Sequence, residues 1–362
     1  NNTVGIKAYS YDSDVFSYNT IYSNSPEGGI DAWYGCIYSY NTVKNNTYSD
    51  DNDNRVAGGI YSTASNTTLD HNTIINNSCP ECGSSGSGLY IDRGGNISDN
   101  IISNNTGANG YAVYVDDTQS GSFANNIITD GKTYLDGPDF DGSWTNNLFI
   151  GGLSGGIEFS NDNTGFSNNT ILNSPGNGYL IIQADSDVNQ TIYFSNNLFS
   201  KNSAGYYLQS GANSYARTYV STTGNNFINN DDGFYVKAPG ENYSVENNWW
   251  GTTTESEIQD LIYDWNDDAT LGFLDYDPWL TSPNTDAPIS PPINVAKQAS
   301  GGNVVLTWDA NPESDVAGYK IHYGNFTGYS YTTNTDVGNV TTYTLSGVSI
   351  DSSIAITAYD GN

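Results

Sequence analysis

The chain of 362 residues has no methionine, two histidines, three cysteines and only ten lysines and arginines together. Each scarcity excludes something. Three cysteines, Cys36, Cys79 and Cys82, are too few for a fold built on disulfides. Ten cations against 40 carboxylates leave a net charge of −30, a field that repels nucleic acid and anionic membrane surfaces. No apolar run reaches the roughly 18 residues that cross a bilayer, so no membrane insertion is expected. No leader peptide opens the chain, and Asn1 does not look like a translation start. A processed product, or the ordered part of something longer, is therefore expected.

The polarity comes instead from uncharged residues. Asparagine supplies 49 positions and tyrosine 29, a composition too aromatic and too patterned for a disordered chain. It suits a strand-rich extracellular protein. The length exceeds what one compact domain usually holds, so two units are expected.

A short pattern recurs: Asn, often doubled, then Thr or an apolar residue, then an aliphatic or aromatic one. Its anchors are Asn19, Asn41, Asn72, Asn100, Asn126, Asn147, Asn169, Asn197, Asn226 and Asn248, at steps of 22, 31, 28, 26, 21, 22, 28, 29 and 22 residues. The floor near 21 marks a fixed turn of structure, and the excess marks insertions at a tolerant corner. Between anchors lie alternating apolar stretches such as G-L-Y-I at Gly88 and Y-A-V-Y-V at Tyr111. Alternation is the strand signal, and no helical period runs through the region. Asn tolerates the left-handed backbone of a sharp corner. Stacked at the strand spacing of about 4.8 Å, equivalent amides are expected to bond into a ladder. The residues two places on, Ile21, Val43, Ile74, Ile102, Ile128, Phe149, Ile171, Phe199, Ile228 and Trp250, should form one core column.

On these repeats, residues 1–280 resemble the right-handed parallel β-helix family, found in many secreted and polysaccharide-related proteins. The resemblance implies an all-β solenoid of about ten coils, roughly 48 Å long at the strand spacing. It implies little about function, because the family spans polysaccharide lyases and hydrolases, epimerases, phage tailspikes and adhesins.

At the carboxyl end, Thr254 and Glu257 read as a capping box. Ile258, Leu261, Ile262 and Trp265 share one helical face, which predicts a capping helix over about 255–265. Leu271 to Leu280 adds an apolar cover. The amino end shows no such cap, so it is expected to be open. Residues 281–292 read as a stiff Pro-rich linker. Residues 293–362 alternate through Val304, Leu306 and Trp308, then Tyr319, Ile321 and Tyr323, then Tyr343 and Leu345, then Ile354, Ile356 and Ala358. They resemble a fibronectin type III β-sandwich without its last strand. A neighbouring chain is one candidate donor of that strand.

Chemistry is sparse. Lyases of this fold use Lys or Arg beside calcium, yet Lys7, Lys44, Arg55, Arg93, Lys132, Lys201, Arg217 and Lys237 recur at no common corner. Asp231 and Asp232 form one acidic pair without the Gly-His-Gly and Arg-Ile-Lys motifs of polygalacturonase-type hydrolases. His71 flanks an anchor and His322 lies on a sandwich strand, so neither suits a catalytic base. Calcium is the one cofactor expected, at Asp50, Asp51 and Asp53 or at Asp136, Asp139 and Asp141, where hard oxygens crowd a loop. Cys79 and Cys82 read as a local disulfide, with a zinc site that adds Cys36 and His71 as the other reading. Sequons offer N-glycosylation at Asn45, Asn66, Asn76, Asn96, Asn104, Asn168, Asn189, Asn242, Asn325 and Asn339. The expected function is a non-catalytic extracellular structural, adhesive or filament-forming protein that assembles with identical chains. The alternatives are a carbohydrate-active enzyme and a glycan-binding module, each for a neutral or weakly charged polysaccharide.

Overall fold

The computed structural model describes residues 5–9, 14–33, 35–49, 57–63, 67–81, 86–92, 95–107, 111–116, 121–129, 131–135, 143–151, 158–160, 164–173, 180–184, 190–210, 218–236, 242–326 and 330–361. The chain forms two compact units, Asn1–Ala287 and Pro288–Asn362.

The first unit is a three-walled parallel solenoid. Among the described residues its walls hold eleven, eleven and nine strands, and each strand pairs with its equivalent one coil away. The first wall runs from Ile6–Ala8 through Leu89–Asp92 to Ile262–Tyr263. The second runs from Val15–Ser17 to Leu274–Asp275, and the third from Thr20–Tyr22 to Asn226–Ile228. The strands Ile6–Ala8, Val15–Ser17 and Thr20–Tyr22 are the wall edges at the amino end of the described residues.

Alternation decides what fills the interior. In the second wall Tyr38, Leu69, Ile97, Phe123, Trp144, Phe166 and Phe194 point inward and are buried. Phe123 and Trp144 stack at 4.3 Å between ring centroids, and Phe227 and Trp250 stack at 4.9 Å. The third-wall column matches the expected residues from Ile21 to Phe199 and again at Trp250. One position departs: Phe227, not Ile228, is the buried member, because Phe199 pairs in register with Phe227.

The asparagine ladder is continuous and directional. Each side-chain amide donates to the Oδ1 of the next coil, at 3.0 Å for Asn41 to Asn72, 2.9 Å for Asn147 to Asn169 and 2.8 Å for Asn197 to Asn225. The same Oδ1 also accepts the backbone N–H of the preceding rung, as Asn169 Oδ1 does from Asn147 N at 2.9 Å. Asn225 therefore replaces the expected Asn226, and Asn225 donates on to Asn248. The left-handed residue is not the rung either. It is the one before: Tyr18, Tyr40, His71, Asp99, Asn125, Asn146, Asn168, Asn196 and Asn247 all have φ between 54° and 58° or within two degrees of that range. Gly224 holds the same corner at φ 70°, which fixes Asn225 as its rung. A doubled Asn thus divides two tasks: the first turns the chain and the second bonds the coils.

A second ladder lies five residues further on. Asn24 donates to Asn46, Asn46 to Asn77 and Asn77 to Asn105, and further along the Asn202 backbone N–H donates to Asn230 Oδ1. Its first run ends where Gly131 stands, since a Cβ there would lie 2.6 Å from the Ala112 methyl.

The carboxyl cap differs from the expected helix. The helix spans Glu255–Asp260 and buries Ile258. Ile262 is buried as part of a first-wall strand, and Trp265 is exposed. Thr254 occupies the N-cap without a side-chain bond, and the expected capping box is not formed: the Thr252 hydroxyl donates to Glu257 and accepts the Thr254 backbone N–H. The cap therefore adds strands to two walls as well as covering the end.

The expected linker is tied down at its start. Asn284 N donates to Asn226 Oδ1 at 2.8 Å, and Asn284 Nδ2 donates to Gly224 O and Asn196 Oδ1. In the second unit two three-stranded antiparallel sheets enclose Val304, Leu306, Trp308, Tyr319, Ile321, Leu345 and Ile356. Among the described residues, Ala355–Tyr359 pairs on one side only.

Candidate functional site

Two large aromatic residues stand exposed just after the first-wall strands of the first two described coils. Tyr9 is 55% exposed and Trp33 is 46% exposed. Their rings lie 5.7 Å apart at 55°. Both follow strands of the first wall, Ile6–Ala8 and Ile30–Ala32. The register of those strands sets Lys7 against Asp31. The Lys7 ammonium lies 3.2 Å from Glu27 and 3.4 Å from Asp31, and 5.6 Å from the Tyr9 ring centre. The Trp33 indole N–H donates to Asp31 at 3.0 Å. Five side chains thus share one outer patch: two rings, two carboxylates and one cation.

The charge states within it are held unequally. A hydrogen bond with Tyr9, joined by the two carboxylates, keeps the Lys7 ammonium charged well above its ordinary range. Asp31 moves the other way for a carboxylate beside a cation. Its burial outweighs the pull of Lys7, and its pKa rises. The exposed ammonium keeps its own water, whereas the half-buried carboxylate loses much of its hydration.

Beyond this patch the outer column of the first wall is tyrosine. Tyr61, Tyr90 and Tyr114 are buried, with Tyr134 half-buried beside them. Tyr90 and Tyr114 stack at 5.3 Å, and Tyr114 and Tyr134 at 4.7 Å. These rings are packed, not offered to a ligand.

Residues 87–250 match the family model described as right handed beta helix region. The wound part of this chain is a right-handed β-helix. No curated protein matches it, and no solved structure does. Among the described residues of this β-helix chain, no helix is long and apolar enough to cross a membrane.

The expected site residues separate clearly. The calcium candidates Asp50, Asp51, Asp53, Asp136, Asp139 and Asp141 lie outside the described residues, as do Arg55, Arg93, Arg217, Lys237 and the sequons Asn66 and Asn189. Cys79 is buried and disulfide-bonded, while Cys36 is a buried thiol outside that disulfide. The disulfide removes Cys79 from the zinc set considered with Cys36 and His71. Cys82, its expected partner, lies outside the described residues. Of the remaining sequons, Asn45, Asn76, Asn96, Asn104, Asn242, Asn325 and Asn339 are exposed and Asn168 is half-buried. Asn45, Asn76 and Asn104 each hold the left-handed corner of the second ladder, directly before the buried rungs Asn46, Asn77 and Asn105.

Two features were missed from sequence. The second ladder was written there as N-x4-N in N-T-V-K-N-N at Asn41 and N-T-I-I-N-N at Asn72. The outer patch carried no such signal, since Lys7, Glu27 and Asp31 come together only through the parallel register.

Proposed function

We propose that this β-helix chain is a non-catalytic extracellular module that holds a neutral or weakly charged glycan on the outer wall of its first two coils. The observation that carries this reading is the exposed Tyr9 and Trp33 pair beside Lys7, Glu27 and Asp31. Aromatic faces pack against the C–H faces of sugar rings, and fixed carboxylates accept hydrogen bonds from sugar hydroxyls. One cation ringed by two carboxylates does not attract a polyanion, and the net charge of −30 repels one. The second unit fits this role as a fibronectin type III-like spacer, since its six described strands divide three and three between two antiparallel sheets.

Hydrolysis is the second reading, favoured by the half-buried Asp31 with its raised pKa near Glu27. A general acid needs such a carboxyl. Affinity electrophoresis of the full chain in gels containing neutral polysaccharides, beside an assay for new reducing ends, tests both readings. Retardation without reducing ends is expected. Reducing ends that disappear in Asp31→Asn favour hydrolysis. Equal mobility in every gel contradicts a glycan role.

A further inference from the structure

We infer that Asp70, His71 and Asp99 form a binding site for a divalent transition-metal ion, of the Zn2+ class, on the outer corner between the second and third walls. One ligand atom from each of the three side chains lies within 4.8 Å of the others. All three are half-buried. His71 Nδ1 is 2.7 Å from Asp70 Oδ1, and the Ser98 hydroxyl donates to the same Asp70 oxygen at 3.3 Å. The Tyr40 ring stacks on the His71 ring at 4.8 Å and 24°, which fixes the imidazole plane. Tyr18 stacks on Tyr40 in turn, at 4.9 Å and 1°.

The placement is specific to these two coils. Asp70 ends the strand Thr67–Asp70, and His71 is the left-handed corner that follows. Asp99 is that same corner one coil on. Parallel stacking at about 4.8 Å therefore brings Asp99 beside the Asp70–His71 pair. In the corner column the later coils carry Asn125, Asn146, Asn168, Asn196, Gly224 and Asn247, which suit φ above zero better than His does. In the column just before it the residues are Ser, Thr and Ala, except Asp70 and, at the far end, Glu246. A mixed set of one imidazole and two carboxylates suits Zn2+, with bonds of about 2.0–2.2 Å that small rotations of these half-buried side chains can close. Three protein ligands leave room for water.

The test is isothermal titration of Zn2+ into the full chain after EDTA treatment and desalting. His71→Asn and Asp99→Asn put at these corners the residue that five other coils already carry, so the fold should be kept. Asp70→Ser copies Ser39 and Ser98 of the neighbouring coils. The thermal midpoint in EDTA should match the parent or exceed it in the two corner variants. The expected result is one zinc event in the parent that weakens at least about tenfold in each variant, together with loss of the zinc-induced rise in midpoint. A Tyr40→Phe variant should keep the zinc event. Zinc isotherms unchanged by all three substitutions overturn the inference, and so does the absence of a zinc event in the parent at millimolar zinc.

Discussion

The side-chain amide of Asn197 donates to Asn225 Oδ1 at 2.8 Å across one coil of the solenoid. That same oxygen accepts the Asn197 backbone N–H at 2.9 Å. One buried carbonyl oxygen thus satisfies two donors that water cannot reach. The neighbouring Asn226 does different work, bonding Asn284 through both its amide and its oxygen.

The two residues should therefore respond differently to truncation. Asn225→Ala orphans the two Asn197 donors and is expected to destabilise the solenoid by about 2–4 kcal/mol. Asn226→Ala frees two backbone groups of the half-buried Asn284, which water can reach, and should cost about 1 kcal/mol. Urea unfolding followed by tryptophan fluorescence separates these values. Equal losses would show that the ladder contributes nothing special.

The end of the second ladder has a steric cause that a paired substitution can test. Gly131→Asn drives a side chain into the Ala112 methyl, which a Cβ at 131 would meet at 2.6 Å. It should destabilise by about 1–3 kcal/mol. Combined with Ala112→Gly it should recover part of that loss, since Gly88 at the equivalent position one coil earlier already admits the Asn105 amide. A double variant as unstable as the sum of the singles would rule this explanation out.

The solenoid was legible because its period is written in residues that have few alternatives. An inward column needs apolar side chains, and a buried rung needs an amide that both donates and accepts. Asn41, Asn72 and Asn100 could therefore be read directly, and so could Val43, Ile74 and Ile102 two places on. At N-N-F-I either Asn225 or Asn226 satisfies the pattern. Only Gly224 at the corner, or Asn284 bonded to the wall, distinguishes them. The capping helix was overextended because Ile258 and Ile262 are both buried, one by a helix and one by a strand. A spacing of four cannot separate those cases. The patch around Lys7 was not legible at all. It depends on which residues the insertions of two coils bring into register, and local spacing is silent about that.

Exposure sorts the sequons. Asn45, Asn76, Asn104 and Asn168 all hold left-handed corners, but the first three are exposed and Asn168 is half-buried. Expressed in a host that glycosylates secreted proteins, the chain should carry glycans at the first three more often than at Asn168. Deglycosylation in heavy-oxygen water with peptide mass spectrometry reads the occupancy. Full occupancy at Asn168 with none at the other three would contradict the ordering by exposure.

Asp31 links the outer patch to pH. Burial raises its folded pKa above the ordinary carboxylate value, so the folded chain holds this proton to higher pH than the unfolded chain does. Its contribution to stability is then most favourable below the unfolded value and declines as pH rises through the raised folded value. Asp31→Asn removes the titration. The midpoint of the parent relative to Asp31→Asn should fall between about pH 3 and about pH 7. A difference that stays flat, or rises with pH, would contradict the burial argument.

The most direct test of the proposed role compares two exposed rings on the same solenoid. Trp33 belongs to the outer patch, and Tyr193 is 54% exposed on the second wall. Isothermal titration of a retarding neutral glycan should show binding weakened at least about tenfold, or about 1.4 kcal/mol, in Trp33→Ala and unchanged in Tyr193→Ala. Binding that survives Trp33→Ala at parental affinity would contradict a glycan site on the first two coils.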